Sequence, residues 1–217
     1  QMGYVERGIP RVKMKVGKDF GQSEREDIER LAAVRAAVGD DVEIYVDANN
    51  GYYAKQAIKM SQIFEQFDVA WFEEPVLADD IPGLAQVSQA TTIPVATGEH
   101  EYTKYGFRDL LVAGGVDIVQ PDVHRVTGIT EWMKVAAMAD AFNLPVAPHA
   151  VSLVHLHCAM ATPNLKVVEV LGAEEQSNGV WWTEVPPFGD DGTWKPFEDR
   201  PGLGLEINPS ALKNNVA

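Results

Sequence analysis

The sequence predicts an α/β domain of parallel strands curved toward a barrel, and three observations carry that reading. Short, nearly continuous, β-branched apolar runs recur along the chain, as in strands buried on both faces. Amphipathic stretches of ten to sixteen residues separate them, so strand and helix alternate. Each run stops at a charged or ionisable residue, which suits strands that open onto one mouth.

Taken in order, the strands are Val12–Val16, Val42–Asp47, Val69–Glu73, Ile93–Thr97, Val116–Gln120, Leu144–Ala147 and Lys166–Val170. Between the first two, Ser23-Glu24-Arg25-Glu26 reads as a capping box. Ile28, Leu31, Ala32, Val34, Arg35 and Val38 follow at helical spacing, and Gly39 ends the helix. Tyr53–Phe67 forms the next helix, with Ile58, Ile63 and Phe64 facing inward, and Ile81–Ala90, Thr103–Ala113 and Thr127–Phe142 supply three more. The opening residues from Gln1 to Tyr4 carry neither a helix cap nor a strand signal. Residues 1–172 are read as a partial β/α barrel domain and 173–217 as a C-terminal extension that packs on it or on a neighbouring domain. In that extension Gly189-Asp190-Asp191-Gly192 punctuates like a hairpin, and Pro201–Ile207 reads as a short strand.

Composition narrows the function. The chain has 217 residues, 46% hydrophobic and 23% charged, which is enough for one compact core. Eighteen Lys and Arg against 32 Asp and Glu give a net charge of −14, which repels phosphate backbones and argues against nucleic acid as a partner. No apolar run approaches the roughly 18 residues of a membrane span. No basic segment followed by an apolar run opens the chain, and its single cysteine, Cys158, reads as a small core residue; the compartment expected is the cytoplasm.

The polar strand ends carry the chemistry. Lys13 and Lys15 lie two apart on the first strand and share a face. Asp47, Glu73, Glu99, Asp122 and His149 close the next five, and Glu169 lies near the end of the seventh. Buried charge is costly unless paired or metal-bound, so seven such ends imply a shared site. An open sheet would spread them over about 30 Å at about 4.8 Å per strand, whereas a barrel gathers them at one mouth. Asp47, Glu73 and Glu99 are spaced by 26 residues each and offer hard oxygen ligands suited to Mg²⁺. Lys15 can act as a base, with Lys13 beside it. His149, oriented by Asp122, can act as a second base or an acid. A cation between two bases suits removal of a proton α to a carboxylate, with Mg²⁺ stabilising the enediolate.

With these residues in place, the chain resembles the barrel domain of the mandelate racemase subgroup of the enolase superfamily over about residues 8–172. Lys13-Met14-Lys15 resembles its Lys-x-Lys motif, and Asp47, Glu73 and Glu99 fall on its metal ligands. Asp122 and His149, 27 apart, fall on its Asp–His dyad. The resemblance implies a TIM-type (β/α)7β barrel, incomplete here because the N-terminal α+β capping domain and first barrel strand are absent. It implies that Asn49 contacts substrate and that a protonated Glu169 donates to the substrate carboxylate; His100, next to Glu99, is expected to touch substrate as well. Asp122 stands where muconate cycloisomerases, succinylbenzoate synthases and dipeptide epimerases carry Lys. The stretch Thr97–Arg108 resembles rhamnonate dehydratases, while Lys13–Gly17 and Val154–His157 are more similar to the galactarate or talarate type. The expected activity is Mg²⁺-dependent dehydration of a sugar acid to a 2-keto-3-deoxy acid, by a natural protein nearly twice as long that assembles as a homo-oligomer.

The same residues leave a racemase or epimerase of 2-hydroxy acids open, since both bases are present. From other classes, a metal-dependent aldolase or an inactive barrel fragment is the alternative. Glu74 is expected to point away from the site on an extended strand. His124 is read as a loop residue at the mouth, and His155 and His157 as helical packing rather than a metal pair. Trp181, Trp182 and Trp194 are read as packing for the extension.

Overall fold

The computed structural model describes residues 2–150, 153–189 and 192–215; Asp190 and Asp191 of the expected hairpin tip lie outside them. Five strands, β1 (Arg11–Lys15), β2 (Glu43–Asp47), β3 (Val69–Glu73), β4 (Val95–Thr97) and β5 (Ile118–Val119), pair in parallel in chain order. Lys15 lies opposite Asp47, and Asp47 opposite Glu73, so these side chains share one row at the strand ends.

The helices α3 (Glu24–Val38), α4 (Ala54–Phe64), α5 (Ile81–Ala90), α6 (Lys104–Ala113) and α7 (Ile129–Ala141) return the chain between strands or follow β5. Short helices α1 (Met2–Glu6) and α2 (Lys18–Gly21) add to the expected elements, as do α9 (Gly172–Trp181) and α10 (Pro209–Asn215) in the extension, while α8 (Leu153–Met160) is the helix on which His155 and His157 pack. The capping box does not form: the Ser23 hydroxyl donates to Asp19 at 2.6 Å and makes no cap bond. Asp80 does cap α5, accepting from Gly83 N at 3.0 Å. On α4 the fully buried residues are Ala57, Met60, Ser61 and Phe64, with Ile58 and Ile63 at the edge of the core.

The last two expected strands are reduced to single bridges, Val119 with Val146 and Val146 with Leu165. Pro145 and Pro148 remove two ladder donors around Val146. Beyond Leu165 no ladder continues among the described residues, although the Lys166 N–H still donates to Val146 O at 2.8 Å. The same cause trims β4, where Pro94 precedes Val95. In the extension Pro201–Ile207 forms turns rather than a strand; Ile207 makes an antiparallel bridge to Trp182, and Phe188 makes one to Trp194.

Strand alternation sorts the side chains into two cores. Outward, Val12, Met14, Ile44, Val46, Phe72, Val95 and Val119 pack beneath the helices with Leu31, Met60, Phe64, Phe107, Leu110 and Trp132. Each large side chain so buried contributes about 1.5–3 kcal/mol of transfer free energy. Inward, Tyr45, Trp71, Ala96, Ile118 and Ala147 meet in a second cluster with Val167 against it. One cluster fed by every strand from β2 onward requires a curved sheet, and the chain is therefore a partial TIM-type barrel. Tyr45 and Trp71 stack at 4.3 Å between centroids and floor the mouth. A cavity of about 330 Å³ lies between β1 and residues 167–172, with Lys13, Lys15 and Glu169 on its wall. The extension packs on α8 through Trp194, Trp182, Phe188 and Leu205, which surround Leu153 and Leu156. No helix among the described residues is long and apolar enough to cross a membrane.

Candidate active site

On the first side of the mouth, β1 to β3 bring lysines onto carboxylates. Lys13 Nζ lies 2.7 Å from Glu73 Oε2, 2.5 Å from Glu169 Oε1 and 3.7 Å from Asp47 Oδ2. Lys15 Nζ pairs with Asp47 Oδ2, while its side chain stays 56% exposed and so reaches the opening. Asp47 and Glu73 are fully buried. Backbone and ring donors complete them: Asn49 N donates to Asp47 Oδ1 at 2.8 Å and Trp71 Nε1 to Glu73 Oε2 at 3.0 Å. The turn after β1 is fixed from below, because Gly17 N donates to buried Asp27 and to Tyr52 Oη, both at 2.9 Å. Gly17 has φ +72°, and a Cβ there would stand 2.8 Å from Ala48 O, so glycine is required.

Glu74 also turns into the site. On an extended strand it would face away from Glu73, but its φ of +40° breaks the alternation. Its side chain is fully buried, Oε2 accepts from Asn50 Nδ2 at 2.9 Å, and Oε1 has no hydrogen-bond partner. Burial first, and then the charges of Glu99, Asp47 and Glu73, push the Glu74 carboxyl up to about 8. Burial likewise raises Glu73, helped by Asp47 and Glu169 and opposed by Lys13. Asn50, which spacing does not single out beside Asn49, also accepts from Ala78 N at 2.6 Å through Oδ1. The Asn49-Asn50 pair in the left-handed region was the signal available, since asparagine tolerates that backbone.

Glu99, Glu74 and His100 present ligand atoms within 4.8 Å of one another. His100 Nε2 lies 3.4 Å from Glu74 Oε1 and 3.6 Å from Glu99 Oε1. The three carboxylates read from the sequence as ligands therefore fall in two groups: Asp47 and Glu73 around Lys13, and Glu99 beside Glu74. The carboxylates of Asp47, Glu73, Glu74 and Glu99 offer hard oxygen donors, and Glu74 Oε1 is without a hydrogen-bond partner there, so the set fits a divalent cation such as Mg²⁺.

The second side of the mouth is built on loops. His149 Nδ1 lies 2.9 Å from Asp122 Oδ2, and its Nε2 lies 3.3 Å from Glu99 Oε2. Asp122 Oδ1 accepts from the backbone N–H groups of His124 at 2.8 Å and Arg125 at 3.4 Å. Burial opposes ionisation of Asp122, but the hydrogen bonds from His149 and His124 outweigh it and hold the carboxyl well below the usual range. Burial works against the imidazolium of His149, yet Asp122, Glu99 and Glu169 raise it above its ordinary value. Glu169 Oε2 accepts from Ala150 N at 2.8 Å and Oε1 faces Lys13, so both oxygens accept here, where the resemblance implies a donor. His124 is exposed, with Nδ1 3.3 Å from Asp122 Oδ1. His155 is fully buried on α8, and His157 Nε2 stands 3.0 Å from Leu203 O.

Fold and site together define a partial parallel barrel with an acidic, lysine- and histidine-flanked mouth. Residues 1–211 match the model of the enolase C-terminal domain-like family, and the chain belongs to that family. It is 35% identical over 215 residues to an arabinonate dehydratase of Saccharolobus solfataricus, covering 97% of this chain and 56% of that protein. It is 37% identical over 208 residues to an L-talarate/galactarate dehydratase of Salmonella typhimurium, covering 96% of this chain and 50% of that protein. An L-talarate dehydratase from Polaromonas sp. JS666, solved with Mg and L-glucarate, superposes with a TM-score of 0.88 at 34% identity, over 98% of this chain and 57% of that one. The chain thus spans about half the length of the curated relatives it matches.

Proposed function

We propose that this chain carries the chemical half of a sugar-acid dehydratase. One observation supports it above the rest: an amine and an imidazole, Lys15 and His149, stand on separate sides of a mouth lined by buried carboxylates. The names of the relatives support a sugar acid as the substrate class. Asp47, Glu73 and Glu99 would hold Mg²⁺, which when bound supplies Lewis-acid relief for negative charge gathering on the substrate carboxylate.

The remaining work falls to the chain's own groups. Asp122 holds Nδ1 of His149, which leaves Nε2 to face the mouth and exchange a proton there. Lys15 or His149 removes the proton at C2. Protonated His149 then donates to the hydroxyl departing from C3, so that water leaves and an enol remains. The enol tautomerises to the 2-keto-3-deoxy acid. Lys13, Asn49, His100 and Glu169 would position the substrate. The raised basicity of His149 suits this double use, since a base must hold the proton it will later return.

The test is a screen of the complete protein with Mg²⁺ against mono- and diacid sugars, with semicarbazide trapping of 2-keto acids. A signal that needs Mg²⁺ and disappears in His149→Asn supports dehydration and identifies the acid. Silence across the library, with deuterium exchange at C2 in D₂O, would replace dehydration by racemisation or epimerisation.

A further inference from the structure

Behind the Asp122–His149 pair lies a buried histidine that the proposed chemistry does not use. His155 is fully buried on α8, and its Nε2 accepts the Val123 backbone N–H at 2.9 Å. An acceptor nitrogen carries no proton, so in this geometry Nε2 is the unprotonated nitrogen of the ring. The same Nε2 lies 3.7 Å from Asp122 Oδ1.

The consequence is geometric. The turn from Asp122 to Val126 is pinned at several points. His124 N and Arg125 N reach Asp122 Oδ1, Val126 N reaches Asp122 O at 2.8 Å, and Val123 N reaches His155. Of these backbone bonds, the one to His155 leaves the turn and ties it to α8, while the Arg125 side chain ties the same turn to Glu99 O at 2.8 Å. His155 is itself held, because Trp132 of α7 packs edge-on at 5.6 Å. Trp132 Nε1 donates to Thr162 Oγ1 at 3.2 Å, and Thr162 Oγ1 donates back to Cys158 O of α8 at 2.8 Å. Two helices are thereby fixed to the one turn that aims Asp122 Oδ2 at His149.

We propose that His155 is a positioning residue: it anchors the Val123 N–H and so fixes the direction in which Asp122 presents its carboxylate to His149. For catalysis this rests on the dehydratase reading above. Misplacing a catalytic group by about 1 Å costs up to about 100-fold in rate, and a buried N–H left without an acceptor gives the turn a reason to move.

The experiment compares the complete protein with His155→Leu, which removes the acceptor, and His155→Gln, whose amide oxygen restores one. Nitrogen-15 NMR of the parent should show an unprotonated Nε2 on His155 and a slowly exchanging Val123 amide. It should also show a low-field Nδ1 proton on His149, which His155→Leu loses and His155→Gln recovers. In turnover, His155→Leu should lower kcat about 10-fold or more at unchanged KM and be rescued by His155→Gln. A protonated Nε2, a His149 proton unmoved in His155→Leu, or kcat within two-fold of the parent would overturn the proposal. If the parent turns over no sugar acid, the dehydratase reading fails, and the His149 proton signal alone decides the positioning role. The parent spectra serve the same end if His155→Leu does not fold.

Discussion

On the β1–β3 side of the mouth, charges are held by opposite charges on side chains: Lys13 against Glu73 and Glu169, Lys15 against Asp47. On the Asp122 side, the carboxylate is held largely by backbone N–H groups of its own turn and by the His149 ring, with the His124 ring 3.3 Å from its other oxygen. The first arrangement can exchange partners, since an ammonium that leaves a carboxylate is replaced by another cation. The second is pre-oriented, because backbone donors cannot leave without unfolding the turn. A mouth built this way has one side that adapts to what binds and one that keeps a proton-carrying ring in place.

The comparison breaks first at the ring. Replacing His149 with Asn should lower kcat by about 10³-fold or more while leaving the thermal midpoint close to the parent's, measured by trapping the keto product. On the adaptable side the loss should appear as stability. Lys13→Met leaves Glu73, Asp47 and Glu169 without their shared cation, at a cost of about 3 kcal/mol in cation-free protein. Added Mg²⁺ should return part of it, and chemical denaturation with and without the ion reads the difference. A variant equally stable in both conditions would show that the lysine does not stand in for a cation.

The pre-oriented side should show itself in acid. Asp122 has its folded value below the unfolded one, so its contribution is present above about pH 4 and lost as pH falls below that. Parent stability should therefore drop there by about 1.5–3 kcal/mol more than that of Asp122→Asn, the span of a charged hydrogen bond. The smallest expected effect lies at the join between the sides. Asn50→Ala removes the bonds to Glu74 and to Ala78 N and leaves a left-handed φ of 63° on alanine, costing about 1–2 kcal/mol. An unchanged denaturation midpoint would place Glu74 in the structure by backbone alone.

The two halves of the chain also differ in how far the sequence could be read. β1, β2 and β3 follow their apolar runs within a residue or so, because uninterrupted N–H donors let pattern become ladder. Leu144–Ala147 and Lys166–Val170 carry the same apolar signal, but prolines beside Val146 and the end of pairing after Leu165 leave only bridges. Periodicity reports burial and not the availability of a partner. The mouth was legible as a set of residue types at regular spacing. What stays hidden depends on single backbone angles and on contacts across the fold: alternation, which assumes φ below zero, puts Glu74 on the opposite face from the one its φ of +40° gives it. Ser23 had the residues of a cap and spent its hydroxyl on Asp19 instead. Helical packing accounts for the burial of His155, yet its acceptor role needs a partner 32 residues away that spacing does not announce.

The lone thiol makes this architecture measurable from inside. Cys158 is buried in α8, one turn beyond His155, and its burial pushes the thiol up to about 11. At neutral pH it is both protonated and shielded, so a thiol reagent reaches it only when α8 lifts from the barrel. The labelling rate, set against that of an unfolded chain, counts how often the wall behind Asp122 opens. If α8 is the rigid backing of the proton-carrying side, labelling should slow to the pace of global unfolding and share its denaturant dependence. Faster, denaturant-independent labelling would mean that the wall opens on its own clock.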